Sequence, residues 1–313
     1  MIIIIEKRAI IRLSRRKGEM KMKLRNELKL TMKKVIAVGL VAALSIGSLA
    51  ACSAVPGGKA DFNGNVVIAG STSVQPLSEV LAAGFEEDHM AMTVDIQGGG
   101  SGQGIKAIAA GIADIGALSR NLKENEKSQV EKEYIIAMDG IAIVVNPDSA
   151  VANLTVEQIK RIYTGEIKNW SEVGGADAVI TVVTREEGSG TRGAFIEITG
   201  VLTKDESGNE IDQTTIDALV QPSTGAVKST VANTPNTIGY ISLGALDDTV
   251  KGLDVEGVKA SVENVLSNAY VISRPFIYVT GAEVSEAAQA YIDYVLSDVG
   301  QLTVKENGFI PVN

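Results

Sequence analysis

The segment TREEGSGTRG, residues 184–193, places Arg185, two glutamates and a Gly-Ser-Gly-Thr run within ten positions. A cation beside a turn rich in glycine and hydroxyl groups is typical of three structures. It could be a solvated surface turn, a cradle for phosphate or another anion, or the loop that carries the nucleophilic serine of a hydrolase. Other segments of the chain are needed to distinguish these three structures.

Two further segments have the same character: AGSTSVQP (69–76) and QGGGSGQGIKAI (97–108). All three lie between a predicted strand and a predicted helix. The start of a helix exposes unpaired N–H groups and a partial positive charge, glycines let the backbone approach an anion, and hydroxyls add donors without charge. In any one segment the serine could simply cap a helix. Three such segments in one chain favour convergence on a single anion.

Enzymatic chemistry finds little support in the sequence. No P-loop motif occurs, and neither Ser101 nor Ser189 lies in a G-x-S-x-G motif. The chain has a single histidine, His89, on which any Ser-His triad would depend. The run 102–107 matches the dinucleotide-binding pattern only formally, because no acidic residue ends a following strand about 20 residues on. We therefore predict a protein that is not an enzyme, with a phosphatase or esterase using Ser101 or Ser189 as the alternative.

Metal and cofactor sites are equally unsupported. With one cysteine and one histidine in the chain, clusters of these ligands are impossible. A Ca²⁺ site built from carboxylates stays open as an alternative, but no EF-hand loop is present. We expect no cofactor and no metal.

The amino-terminal segment has the layout of a secretory signal. Residues 32–52 contain two lysines, an apolar run and then small residues that end in Leu-Ala-Ala-Cys, and Cys52 is the only cysteine. This end resembles a bacterial lipobox, which implies cleavage before Cys52 and a lipid on its sulfur; a free cysteine is the alternative. Residues 1–31 are basic and unusual before a signal, so we expect an over-called start, a real signal at about 20–51 and a linker at 53–63.

Removing the signal segment changes the charge of the protein. Residues 1–51 contain 12 of the 29 Lys and Arg but 3 of the 38 Asp and Glu, so the remainder has 17 basic and 35 acidic residues and a formal charge of −18. Such an acidic body argues against nucleic acid or anionic lipid as a partner. Any anion must then be bound by local donors rather than by the overall field.

Short β-branched runs alternate with amphipathic stretches, which predicts α/β sheets with parallel strands and ligand sites at their carboxyl ends. The polar segment 202–212 is predicted to be an exposed loop. The predicted strands are 65–70, 92–97, 114–119, 135–146, 179–184, 237–242 and 270–280.

The chain resembles a known family, the phosphate-binding lipoprotein subunit of bacterial phosphate ABC importers (PstS type). The likeness extends over residues 64–313. It rests on segments that follow one another in the family's order: GSTSVQPL, QGGGSGQGIKAI, ADIGALSR, DGIAIVVNP, IYTGEIKNWSEVGG, REEGSGTRGAF, IGYISLGAL and YVISRPFIYV.

The resemblance implies a two-lobed α/β fold of the periplasmic-binding-protein type II class, with two crossover strands and a ligand between the lobes. The lobes are expected at 61–142 with 270–313, and at 143–269. The implied partners are inorganic phosphate and the permease and ATPase of an importer. The implied location is the extracytoplasmic face of the cell membrane, with a lipid anchor at Cys52, and we expect a monomer.

The resemblance also implies a set of site residues. Arg185 matches the family's single arginine, and Glu187 matches the acidic residue that steadies it; an ordinary exposed ion pair is the alternative. The remaining matches are hydroxyl or backbone donors: Ser71, Thr72, Ser73, Ser101, Ser189, Gly190 and Thr191.

The choice among oxyanions is the open point. Ser119 stands where some family members have an aspartate, which accepts a hydrogen bond from a protonated phosphate oxygen and so rejects fully ionised sulfate; a serine can donate or accept. Arg120 could add a second positive contact or could face solvent. Asp139 could supply the missing acceptor or cap a turn. Sulfate-like oxyanions, and a sensing or adhesive surface role, therefore stay open as alternatives.

Overall fold

The computed structural model describes residues 64–312, so the predicted signal, Cys52 and the linker lie outside the described residues. The strands are β1 (Gly64–Gly70), β2 (Met92–Gly98), β3 (Ile115–Leu118), β4 (Lys132–Val145), β5 (Asn153–Leu154), β6 (Thr181–Arg185), β7 (Leu202–Lys204), β8 (Glu210–Asp212), β9 (Leu219–Gln221), β10 (Thr237–Ser242), β11 (Lys251–Gly252), β12 (Asp254–Val255) and β13 (Ser273–Thr280). The helices are α1 (Gln75–Asp88), α2 (Ser101–Ala109), α3 (Val156–Tyr163), α4 (Gly190–Ile198), α5 (Thr224–Asn233), α6 (Val262–Leu266), α7 (Glu286–Leu296) and α8 (Asp298–Glu306).

The main sheet has the strand order β2-β1-β3-β13-β4-β10-β6-β9, with β11 also paired to β4. As predicted, the pairs β1–β2, β1–β3, β6–β10 and β6–β9 are parallel. The prediction of parallel strands fails for β4 and β13, which are antiparallel to their neighbours. The sheet is therefore mixed, and the two antiparallel strands lie in its middle.

Strand β4 serves both halves of the sheet. Its residues 132–140 pair with β13, and its residues 141–145 pair with β10. From residue 136 onward nearly every side chain is buried, because layers of protein cover both faces, so the strand has the continuous apolar pattern of a central strand. One unbroken strand thus crosses from one half of the protein to the other.

Two large apolar cores lie on either side of this crossing, and a third, smaller cluster contains residues of α2, β3 and β13. One contains residues from β1, α1, β13 and α7, with Phe85, Phe276 and Tyr291 among its large side chains. The other contains residues from β4, α3, β6, α4 and β10, in which Phe195 stacks on Tyr240 with ring centroids 4.0 Å apart. Two cores joined by shared strands make this a two-lobed α/β fold.

A buried ion pair lies where β4 passes between the cores. Asp139 is directly opposite Arg274 of β13 in the strand register. Its carboxylate accepts hydrogen bonds from Arg274 Nη2 at 3.0 Å and from Ser242 Oγ at 2.9 Å. Loss of solvent raises the pKa of Asp139 and lowers the pKa of Arg274, against the mutual attraction of the two charges. Asp139 therefore lies mid-strand with protein donors on both oxygens, which differs from both roles expected for it.

The segment 202–212 is also different from its prediction. It is exposed, as expected, but it forms the antiparallel hairpin β7–β8 rather than a loop. Asp205 closes the turn by accepting hydrogen bonds from the backbone N–H groups of Ser207 and Asn209 at 2.9 and 2.8 Å. Turn-forming residues dominate the composition of this stretch and hide its two three-residue strands.

Within residues 64–312, no helix is both long enough and apolar enough to span a membrane.

The buried pair predicts a strongly non-additive mutant cycle. Arg274→Met leaves a buried unpaired carboxylate, and Asp139→Leu leaves a buried unpaired guanidinium, so each should cost about 3–5 kcal/mol of stability. The double variant should recover most of that loss, because neither charge remains. Urea unfolding of the four proteins measures the coupling. Arg161→Met, at the exposed pair with Glu166, is the control and should cost less than about 1 kcal/mol. Additive single costs would contradict the prediction.

Candidate functional site

Polar residues at the ends of strands β1, β3 and β6 meet at one place in the fold. Ser71 follows β1, Ser119 follows β3, and Arg185 is the last residue of β6. Helices α1 and α4 follow β1 and β6, and α2, which begins at Ser101, precedes β3. The geometry depends on glycine at Gly100, which precedes α2 with φ of 88° and whose added Cβ would lie 2.9 Å from the carbonyl oxygen of Gly188.

Three serines form a buried network on the side of β1 and β3. Ser71 Oγ donates to Ser119 Oγ at 2.8 Å, and the Ser119 N–H donates to Ser101 Oγ at 3.1 Å. Ser101 is the first residue of α2, so its hydroxyl lies at a helix start. All three side chains are buried. The first and second polar segments of the sequence therefore meet, and Ser119 lies between them.

The Arg185 guanidinium lies at the centre of the cluster, and the residue is only 1% exposed. One edge binds a carboxylate: Nε and Nη2 donate to Glu186 at 2.9 and 2.8 Å. The terminal nitrogens face hydroxyls, with Nη1 3.2 Å from Thr224 Oγ1 and Nη2 3.2 Å from Thr72 Oγ1. The carboxylate fixes the plane of the fork, and the fork presents its outer nitrogens to the hydroxyl cluster.

The partner of Arg185 is thus Glu186, and the assignment of Glu187 to this role is wrong by one residue. After β6 the chain turns, with the Ser189 N–H donating to the carbonyl of Glu186 at 3.0 Å. Glu187 is exposed in this turn, whereas Glu186 remains next to the guanidinium. The carboxylate of Glu186, the residue next to Arg185, can reach back along the end of the strand. Spacing along the sequence does not show whether Glu186 or Glu187 faces the guanidinium.

The start of α4 supplies the opposite wall of the cluster. Thr191 Oγ1 lies 2.8 Å from Ser73 Oγ, and an added Cβ on Gly190 would lie 2.7 Å from Ser119 Oγ and still closer to Ser101 Oγ. Ser189 accepts a hydrogen bond from the Arg192 N–H at 3.2 Å, so its side chain caps the helix. Only glycine at position 190 lets the start of α4 come this close to Ser101 and Ser119.

Arg120 takes neither of the roles expected for it. The residue is buried, and Nη1 and Nη2 each donate to the Glu126 carboxylate at 2.7 Å. Partial burial of Glu126 opposes its ionisation, but the hydrogen bonds from Arg120 and from the Lys123 N–H lower its pKa overall. The guanidinium is therefore engaged by a carboxylate of its own loop.

Thr224 is a member of the cluster that the sequence analysis missed. It is the first residue of α5 and is buried, and its Oγ1 lies 2.8 Å from Ser73 Oγ. The signal was available: the segment QPSTGAV, residues 221–227, repeats the pattern of hydroxyl residues and glycine between a strand and a helix. Strand β9 has only three residues, which is too short for a sequence pattern to predict. The sequence therefore does not mark this segment as the end of a strand.

The structure thus brings together most of the predicted residues: Ser71, Thr72, Ser73, Ser101, Ser119, Arg185, Gly190 and Thr191, with Ser189 capping α4 beside them. Glu187 is exposed, and Arg120 and Asp139 pair with other charges.

The cluster is rich in hydrogen-bond donors and has little net charge. One guanidinium is balanced by one carboxylate, and the remaining groups are hydroxyls and the N–H groups of helix starts. His89, which could serve as a base, follows the carboxyl end of the 14-residue α1 and stacks on Phe85. At 1.5 Å per residue this is about 20 Å from the start of α1, where the serines lie. Within the described part of the chain, no three His, Cys, Asp or Glu side chains form a potential metal site.

Known proteins are similar to this chain over most of its length. Residues 56–299 match the model of the PBP superfamily domain. The phosphate-binding protein PstS of Bacillus subtilis (strain 168) is 33% identical over 259 residues, which cover 82% of this chain and 83% of that protein.

Two solved structures support the same relationship. A putative phosphate ABC transporter substrate-binding protein with bound phosphate from Clostridium perfringens is 42% identical with a TM-score of 0.75, covering 80% of this chain and all of that one. An ABC-type phosphate transport receptor from Vibrio cholerae is 36% identical with a TM-score of 0.66, covering 79% of this chain and all of that one. The chain therefore belongs to the PBP superfamily and, within it, to the PstS family of phosphate-binding proteins.

Proposed function

We propose that this protein captures inorganic phosphate between its two lobes and delivers it to the permease of an ABC importer, without making or breaking a bond. The observation that carries the proposal is the buried Arg185 fork. Its outer nitrogens lie against hydroxyls from the 71–73 loop and from the start of α5. This arrangement offers a tetrahedral anion donors from several directions at once.

Hydrogen bonds supply the binding energy in this proposal. A hydrogen bond to a charged group contributes roughly 1.5–3 kcal/mol net. About eight to ten such donors would offset the several kcal/mol that desolvation of the anion and closure of the lobes cost. The acidic body of the protein makes this necessary, since its overall field repels anions. The relatives from Bacillus subtilis and Clostridium perfringens, named for phosphate, support phosphate as the anion.

We propose the lobe boundaries 61–142 with 270–313, and 143–269. The crossing of β4 from β13 to β10 at residues 140–141 supports the first boundary. Across the cleft, the Gly102 N–H donates to the carbonyl oxygen of Gly188 at 3.0 Å, and Ser73 contacts Thr191. These contacts would hold the lobes closed around the ligand, and opening would release it to the permease.

We further propose that the protein acts as a monomer on the extracytoplasmic face of the membrane, anchored by a lipid on Cys52. The lipobox-like sequence before Cys52 supports the anchor, and the family of the chain supports an importer as partner.

Ser119 is the proposed point of oxyanion selectivity. Its hydroxyl accepts from Ser71 and lies 3.5 Å from Ser101 Oγ, and as a hydroxyl it can donate to an ionised ligand oxygen or accept from a protonated one. We therefore propose weaker rejection of sulfate than a carboxylate at this position would give.

Removal of the central cation tests the proposed function. Arg185→Ala removes two charge-assisted donors and should weaken phosphate binding about 100-fold or more. Isothermal titration calorimetry with phosphate, arsenate and sulfate measures the effect. Arg161→Ala, which removes an exposed arginine of the same lobe, is the control and should leave the affinity for phosphate unchanged. Sulfate binding without phosphate binding in the unmodified protein, or full affinity in Arg185→Ala, would overturn the proposal.

The close approach of α4 to the serines gives a second test. Gly190→Ala should weaken phosphate binding, because the new Cβ would overlap Ser101 Oγ and press on Ser119 Oγ in the closed state. Overpacking of this kind costs about 1–3 kcal/mol, or roughly 5- to 150-fold in affinity. Gly188→Ala is the matched control in the same loop, because its Cβ would meet nothing within 4 Å. Equal effects of the two substitutions on the Kd for phosphate would contradict this role of Gly190.

A further inference from the structure

The first residue of helix α5, Thr224, makes contacts with the candidate site that helix capping does not explain. Ser223 already caps this helix, since its Oγ accepts a hydrogen bond from the Ala226 N–H at 3.1 Å. Thr224, the next residue, is 4% exposed, and none of its hydroxyl contacts is with its own helix. Its burial therefore needs a reason other than local secondary structure.

The contacts of Thr224 all point into the cluster. Its Oγ1 accepts from Arg185 Nη1 at 3.2 Å and lies 2.8 Å from Ser73 Oγ. Its N–H donates to Thr72 Oγ1 at 3.2 Å. The hydroxyl and the N–H of Thr224 thus face the central arginine and the 71–73 loop. That loop lies about 150 residues before Thr224 in the chain.

The hydroxyl protons around Thr224 can be counted. Thr224, Ser73 and Thr191 have three hydroxyl protons and are joined by two hydroxyl–hydroxyl contacts. Two protons are used in these contacts, and one is left to be donated elsewhere. Arginine has no acceptor, so its Nη1 always takes one acceptor position of Thr224. One of these three hydroxyls therefore keeps a free proton; when the contacts run from Thr191 to Ser73 to Thr224, that proton is on Thr224, beside the guanidinium.

We propose that Thr224 is a direct ligand of the oxyanion, donated by a fourth segment of the chain, and that its hydroxyl and Arg185 bind neighbouring oxygens of the same anion. This inference rests on the proposed phosphate-binding function and adds a residue to that site. It assigns to the QPSTGAV segment the same task as the three segments identified from the sequence.

The test compares Thr224→Val, which keeps the shape and removes the hydroxyl, with Thr224→Ser, which keeps the hydroxyl. Thr224→Val should weaken phosphate binding roughly 10- to 150-fold, as expected for one hydrogen bond to a charged group. Thr224→Ser should bind phosphate with nearly the affinity of the unmodified protein. Calorimetry gives the Kd, and thermal unfolding without phosphate gives the stability of each variant.

Thr237→Val is the matched control for a purely structural effect. The Thr237 hydroxyl is fully buried and donates to the carbonyl oxygens of Val231 and Thr234, so its loss should lower stability and leave the Kd for phosphate unchanged. Thr224→Val should show the opposite pattern, with a larger change in Kd than in stability. A crystal structure of the unmodified protein with phosphate should place Thr224 Oγ1 or its N–H within hydrogen-bonding distance of a phosphate oxygen.

The outcomes separate this inference from the function on which it rests. Absence of phosphate binding by the unmodified protein would overturn the proposed function. Strong phosphate binding that is lost in Arg185→Ala but kept in Thr224→Val would overturn only the role of Thr224. Should Thr224→Val fail to fold, the Kd of Thr224→Ser and the crystal structure decide, and a Thr224 with both polar groups out of reach of the phosphate would reject the inference.

Discussion

The candidate site depends on the burial of one cation, Arg185. A guanidinium taken out of water must be fully hydrogen-bonded or its desolvation is not recovered. Glu186 satisfies one edge of the fork, and the hydroxyls of Thr72 and Thr224 satisfy the outer nitrogens. Those hydroxyls come from separate segments of the chain. The buried arginine is therefore fully hydrogen-bonded only when these segments pack around it.

This arrangement also reconciles anion binding with an acidic protein. The chain after residue 51 has a formal charge of −18. The pairing of Arg185 with Glu186 leaves the cluster close to neutral, so the proposed binding of an anion there would rely on oriented dipoles rather than on excess positive charge. Oriented hydroxyls and helix starts act over short distances, which limits the attraction to a ligand that has already entered the cleft.

Strand β4 holds the two halves of the site in relation to each other. β4 is continuous from one core to the other, and the buried pair of Asp139 and Arg274 joins it to β13 at the crossing. The contacts between the proposed lobes at the site are different in kind, because they are polar: the Gly102 N–H donates to the Gly188 carbonyl, Ser73 contacts Thr191, and Arg185 donates to Thr72. Apolar burial thus stabilises each lobe, and polar contacts join the lobes at the site.

Local features of this protein follow from its amino-acid sequence. Strand ends followed by glycine and hydroxyl residues at helix starts identified Ser71, Ser101 and Arg185, because strand endings, caps and glycine turns depend on neighbouring residues. Only the tertiary structure decided which groups meet: Glu186 rather than Glu187 at the arginine, Arg120 with Glu126, and Thr224 beside Ser73. A side chain's partner depends on strand register and on the packing of distant segments, and spacing along the chain does not encode either.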